Sequence, residues 1–165
     1  ENSASIIGLG VACELAQEHL VAENTTVKRL RDRLERGILG SVRNAFVNGD
    51  TLYRLPNTAS IAFEYVEGEG ILLLLNQLGI AASSGSACTS GSLEPSHVMR
   101  AMAIPYTAAH GTIRFSLSRY NTEEEVDRVI AAVPPVIAKL RKLSPYWSGD
   151  GPAANPEQAF QPEYA

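Results

Sequence analysis

Apolar residues at Ile6, Leu9, Cys13, Ala16 and Leu20 recur near helical spacing and predict a helix over residues 4–22, with Ser3 or Ser5 as its cap. Its first half is apolar almost all round, which calls for cover on every side. A second helix is predicted over 25–40, capped by Thr25 or Thr26, with Val27, Leu30, Leu34 and Ile38 as its buried stripe. Lys28, Arg29, Arg31, Arg33 and Arg36 fall on the other face. That face reads as solvated surface relieved by Asp32 and Glu35, with a docking patch for an acidic partner as the alternative.

The period then shortens to two. Ala45–Asn48 predicts a short strand ending at the turn Asn48-Gly49-Asp50. Over Ser60–Val66, Ile61, Phe63 and Tyr65 alternate with Ser60, Ala62 and Glu64, as in a half-buried strand. Residues 67–78 predict a helix with Ile71, Leu74, Leu75 and Leu78 on one face and Gly79 as its stop. Ile80–Ala82 reads as a short strand entering a loop, and Pro95–Met102 as a short helix. Over Thr112–Arg119, Ile113, Phe115 and Leu117 point inward, while Thr112, Arg114, Ser116 and Ser118 point away.

Thr122–Glu125 spells a capping box, followed by the buried positions Val126, Val129, Ile130 and Val133. Pro134-Pro135 is expected to break or kink that helix, with a last segment Val136–Leu143. Residues 145–165 are proline-rich and poor in aliphatics, and read as a mobile tail with Tyr146, Trp147 and Phe160 as sticky points. The element order gives an α+β fold: a small, mainly antiparallel sheet packed with helices.

At 165 residues the chain has room for one core. A net charge of −4 argues against a general nucleic-acid binder. No apolar run approaches the ~18 residues of a membrane-spanning helix, so no membrane partner is expected. Two cysteines cannot make a disulfide framework, and a reducing, cytoplasmic setting follows by default. The chain begins with Glu1 rather than Met, at the edge of an apolar helix, and is expected to be a piece of a longer protein.

Chemistry concentrates in Ser83–Pro95. Between Ser83 and Ser92 stand five serines, a threonine, two glycines and Cys88. Nothing there anchors a core, so the thiol is expected to be exposed on a movable arm. An exposed thiol in a reducing cell is an oxidation liability, and its placement suggests use. Cys13, on an apolar helical face, reads as structural. At pH 7.5 roughly a tenth of an ordinary thiol of pKa about 8.5 is thiolate. No Lys or Arg flanks Cys88, so activation must come from residues distant in sequence, with His97 and His110 as candidate proton shuttles, or from a cofactor that this chain does not encode. About five residues on either side give the arm a span of at most ~17 Å. No Cys/His cluster has zinc spacing.

The run SSGSACTSGSLEPSHVMR (Ser83–Arg100) resembles the active-site loop of class V, pyridoxal-phosphate-dependent cysteine desulfurases, most closely their nitrogen-fixation branch. The likeness extends through PNTASIAFEYVEGEG (Pro56–Gly70), GTIRFSLSRYNTEEEVD (Gly111–Asp127) and PPVIAKLRKLSP (Pro134–Pro145), covering roughly residues 3–147. The resemblance implies that Cys88 is the catalytic cysteine. It takes sulfur from L-cysteine as a persulfide, releases L-alanine, and passes the sulfur to a scaffold protein that builds iron–sulfur clusters. The same likeness implies that Arg114 holds the substrate carboxylate, that Cys88 is a candidate transient iron–sulfur ligand, and that the parent protein is a homodimer.

One departure limits this. The family holds pyridoxal phosphate on a lysine in a His-Lys pair. Here Lys28, Lys139 and Lys142 lie on charged helix faces and none follows a histidine. No cofactor-binding residue is therefore assigned in this chain. The expected organisation is a helix over 1–22 linking to an absent large domain, a small domain over 23–144 with the cysteine loop at 83–94, and the tail from 145. The chain alone is expected to be inactive. The alternatives are a non-catalytic, scaffold-binding remnant and a Cys/His hydrolase built on Cys88 with His97 or His110.

Overall fold

The computed structural model describes residues 1–84 and 96–153. Helix α1 (Ser3–Ala22) opens with the Asn2 side chain accepting from the Ser5 N–H, so the cap is Asn2 rather than a serine. No residue of α1 is buried. The second helix does not start afresh at a threonine cap. A π-helical turn, Glu23–Val27, carries the chain without a break into α2 (Lys28–Ser41). Thr25 Oγ1 donates back to the Val21 carbonyl at 2.7 Å, and Asn24 does the same to Leu20 at 2.8 Å. Both side chains thus serve the helix interior instead of capping a new start.

Strand β1 (Ala45–Val47), β2 (Thr58–Phe63) and β3 (Thr112–Ser116) form an antiparallel sheet in the order β1-β2-β3. One face carries Ala59, Ile61, Phe63, Ile113 and Phe115, all buried. The π-helical turn, through Val27, and helices α2, α3 (Gly68–Gln77) and α6 (Glu123–Leu143), through Leu30, Leu34, Ile38, Ile71, Leu75, Val133 and Ile137, supply much of the remaining core. Gly79 ends the α3 segment at φ +71°, where a side chain would be strained. Two short helices, α4 (His97–Ala101) and α5 (Tyr106–Ala109), lead into β3.

Three expectations need correction. Helix α6 continues unbroken through Pro134 and Pro135, so the expected break does not occur. Each proline forfeits an N–H bond and crowds the carbonyl four residues back, at a cost of about 3 kcal/mol in an isolated helix. Here Val126, Val133, Val136 and Ile137 are buried on both sides of the pair, and their packing against the core keeps the helix continuous. Arg31 is not on a solvated face: it is 2% exposed, paired to Asp32 at 2.7 Å and donating to the carbonyls of Leu55 and Thr58. Residues 145–153 are no loose tail. Strands β4 (Trp147–Ser148) and β5 (Gly151–Pro152) form a hairpin, and the Trp147 ring lies 4.1 Å from the Arg141 guanidinium. Arg141 in turn donates to the carbonyls of Asn44 and Glu64. Burial lowers its pKa, opposed by the nearby Glu64 charge. The remainder of the expected tail, from 154 on, lies outside the described residues.

The basic face of α2 is largely neutralised. Arg29 pairs with Glu123 at 2.6 Å and Arg33 with Asp127 at 2.7 Å, tying α2 to α6. Arg54 pairs with Glu35 at 2.8 Å.

Candidate active site

The second face of the sheet is where the polar residues of the alternation fall. Register places Ser60 opposite Arg114 and Ala62 opposite Thr112. Asn48 continues β1 by donating its N–H to the Ser60 carbonyl at 2.8 Å. On the far side of β3, Ser83 forms a lone bridge with Arg114 in which each backbone serves the other. Arg114 donates to the Ser83 carbonyl at 2.6 Å, and Ser83 donates back at 3.1 Å. Opposed residues in such pairs share a face. A polar row, Asn48–Ser60–Arg114–Ser83, therefore crosses the sheet.

Its members differ in how much of their bonding capacity is spent. Asn48 is buried, and its Nδ2 donates to Ser60 Oγ and to Thr112 Oγ1, each at 3.2 Å. Thr112 is 4% exposed, against the expectation that it points to solvent, because its hydroxyl donates to the Ala108 carbonyl of α5 at 3.2 Å. Arg114 is exposed, and among the described residues its guanidinium has no ion pair or hydrogen bond. A cation with five donors and no local acceptor is available to a carboxylate.

The strand's entry is fixed by Gly111. A Cβ there would stand 2.0 Å from the Phe63 carbonyl oxygen and 2.8 Å from that of Val66. The Gly111 carbonyl also accepts from the Phe63 N–H at 3.1 Å. Only glycine lets the chain pass this close to β2 before Arg114 is reached.

The two sequence-predicted histidines occupy different settings. His97 begins α4, capped by Ser96, and is exposed. His110 follows α5, with its side chain 16% exposed. Its ring meets Tyr106 edge-on at 4.6 Å, and Nδ1 stands 4.0 Å from the Glu67 carboxylate. Its Nε2 is buried without a partner among the described residues. Cys88 lies outside the described residues, but the chain leads into its segment from Ser83, at Arg114's side. Cys13 is exposed on α1 in this chain.

Asn48, Ser60 and Thr112 were not picked out by the sequence reading. Asn48 looked like a turn residue, and Ser60 and Thr112 like the wet side of an alternation. The signal that would have found them is the cross-strand register, which depends on loop lengths.

Among the described residues no group of three His, Cys, Asp or Glu side chains could hold a metal ion. No described helix is long and apolar enough to cross a membrane. Nor do the residues present fit pyridoxal phosphate: Lys28, Lys139 and Lys142 are all exposed on α2 and α6. A lysine that binds an aldehyde cofactor needs a lowered pKa, which comes from burial or a neighbouring cation.

Over 164 residues, 99% of this chain, it is 72% identical to the cysteine desulfurase NifS of Azotobacter vinelandii. It is 64% identical over its full length to a cysteine desulfurase of Gluconacetobacter diazotrophicus. The chain spans about two-fifths of the length of these relatives (41% and 40%). Among solved structures, a NifS-like protein from Rickettsia africae superposes with a TM-score of 0.72 at 28% identity, covering 84% of this chain and 35% of that one. The profile of the family described as "Aminotransferase class-V" matches residues 1–129, most of the chain with its sheet and Arg114, and the chain belongs to that family.

Proposed function

We infer that this chain is the small domain of a cysteine desulfurase. In the whole enzyme L-cysteine and the Cys88 thiol give L-alanine and a Cys88 persulfide. The carbon–sulfur bond of the substrate breaks, and its electron pair stays on carbon and takes up a proton. A sulfur–sulfur bond forms at Cys88. Arg114 grips the substrate carboxylate through its fork of donors. Pyridoxal phosphate belongs to the rest of the enzyme, because no lysine of this chain suits it. The apolar helix α1 is the part that the large domain covers. His110, with an orphaned buried nitrogen, suits a proton shuttle better than the exposed His97.

The persulfide sulfur is delivered, in this reading, to a scaffold protein for iron–sulfur clusters, in a cytoplasmic homodimer dedicated to nitrogenase. The identity to the Azotobacter vinelandii relative supports that branch. The observation that carries the whole reading is the reciprocal pair between Ser83 and Arg114. It sets an unpaired guanidinium beside the root of the segment that holds Cys88.

The test is a chimera in which this chain replaces the matching two-fifths of the Azotobacter vinelandii desulfurase. The chimera releases sulfide from L-cysteine, whereas Cys88→Ala abolishes release and retains cofactor absorbance. The isolated chain supplied with pyridoxal phosphate and L-cysteine yields no sulfide above the cofactor-only control. Turnover by the Cys88→Ala chimera, or by the isolated chain, would overturn the assignment.

A further inference from the structure

The geometry points to Ser60 as a second, specificity-determining contact for the substrate carboxylate, with Asn48 as the residue that orients it. This rests on the reading of Arg114 given above. Ser60 and Arg114 are direct cross-strand partners on the open face, so their Cβ atoms stand about 5 Å apart. Ser60 is small and half-buried, and leaves room for the long arginine side chain to lie across it.

Its hydroxyl is set up to donate. Asn48 Nδ2 donates to Ser60 Oγ, which fills a lone pair of that oxygen and leaves its own proton without an acceptor among the described residues. Thr112, the other hydroxyl near Asn48, differs in that its proton is already committed to the Ala108 carbonyl. The Asn48 amide cannot turn freely, because it also holds Thr112 and is buried. Ser60 is thus a fixed, unspent donor beside an unspent cation. A carboxylate offers about four acceptor sites, and a bidentate arginine uses two of them. One guanidinium and one hydroxyl together recognise an α-carboxylate more selectively than the cation alone.

The experiment uses the holoenzyme chimera. Ser60→Ala weakens binding of L-alanine, followed by equilibrium titration, about tenfold, in line with loss of a hydrogen bond to a charged group. KM for L-cysteine rises by a similar factor with kcat within about twofold, as for an interaction made equally in ground and transition states. Binding of cysteamine, which lacks the carboxylate, is unchanged. Ser60→Thr keeps the hydroxyl and restores L-alanine binding. Asn48→Leu moves L-alanine binding in the same direction as Ser60→Ala, by a smaller factor. If Ser60→Ala binds L-alanine as tightly as the parent while Arg114→Gln loses it, Ser60 has no such role and the reading of Arg114 survives. If Arg114→Gln also binds normally, the reading of the site itself has failed. An equal loss of cysteamine binding would mark a merely structural effect and likewise overturn the proposal.

Discussion

Gly111 and Arg114, three residues apart in sequence, fix the entry to β3 and the character of its exposed face. Gly111 has no room for a methyl group against the Phe63 carbonyl of β2 and the Val66 carbonyl of the bend that follows it. Gly111→Ala therefore forces strand β3 away from β2 and costs about 3 kcal/mol, the upper range for overpacking. Urea unfolding checks this, and a loss under about 1 kcal/mol would show that the contact relaxes. Arg114 itself was legible: the alternation of β3 puts it opposite Ile113 and Phe115, and it is exposed while they are buried. Thr112, two positions earlier on the same face, was misread. Alternation tells which face a residue is on, but not what lies over that face. Helix α5 covers Thr112 and leaves Arg114 open.

Among the elements, α6 shows both the strength and the limit of local rules. Its start was written in the sequence. Thr122 accepts from the Glu125 N–H at 3.2 Å, and the Glu125 carboxylate accepts from the Thr122 N–H at 3.1 Å. Removing the cap with Thr122→Ala costs about 1 kcal/mol, read from the shift in denaturation midpoint. Its continuation past two prolines was not written there, because the packing that overrides them comes from α2 and α3, distant in sequence. The first turn also carries an acid response. Hydrogen bonds from Asn121 and the Thr122 N–H hold the Glu125 carboxyl below its ordinary pKa, and Arg33 does the same for Asp127. A lowered folded-state pKa adds stability above the unfolded value, and that stability fades as pH falls through the folded one. The urea midpoint should thus decline below about pH 4–5. Glu125→Gln, which keeps an acceptor, should decline less steeply, and an unchanged slope would remove Glu125 from the account.

For the molecule as a whole, α1 is the anomaly. Ile6, Ile7, Leu9, Leu20 and Val21 are between 58% and 75% exposed on a helix that contributes nothing to the core. Burying one such side chain is worth about 1.5–3 kcal/mol, so an uncovered α1 seeks a surface. The isolated chain is expected to self-associate in sedimentation, and a version without residues 1–22 to run as a monomer with reduced binding of an apolar dye. A monomeric full chain at high micromolar concentration would show that α1 is not sticky enough to need cover. The all-round apolar pattern announced this from sequence. The C-terminal hairpin was not announced, because its hold is a ring stacked on Arg141, a residue whose burial by the carbonyls of Asn44 and Glu64 no local pattern encodes.

The shared backbone pair of Ser83 and Arg114 makes the placing of the guanidinium and the launching point of the segment beyond Ser83 one mechanical unit. Side chains in a strand change face with every step, so sliding β3 by a single residue would turn the guanidinium into the core and re-seat the neighbouring segment at once. Changing the length of the segment beyond Ser83 leaves the guanidinium where it is, whereas a register error in β3 displaces both together.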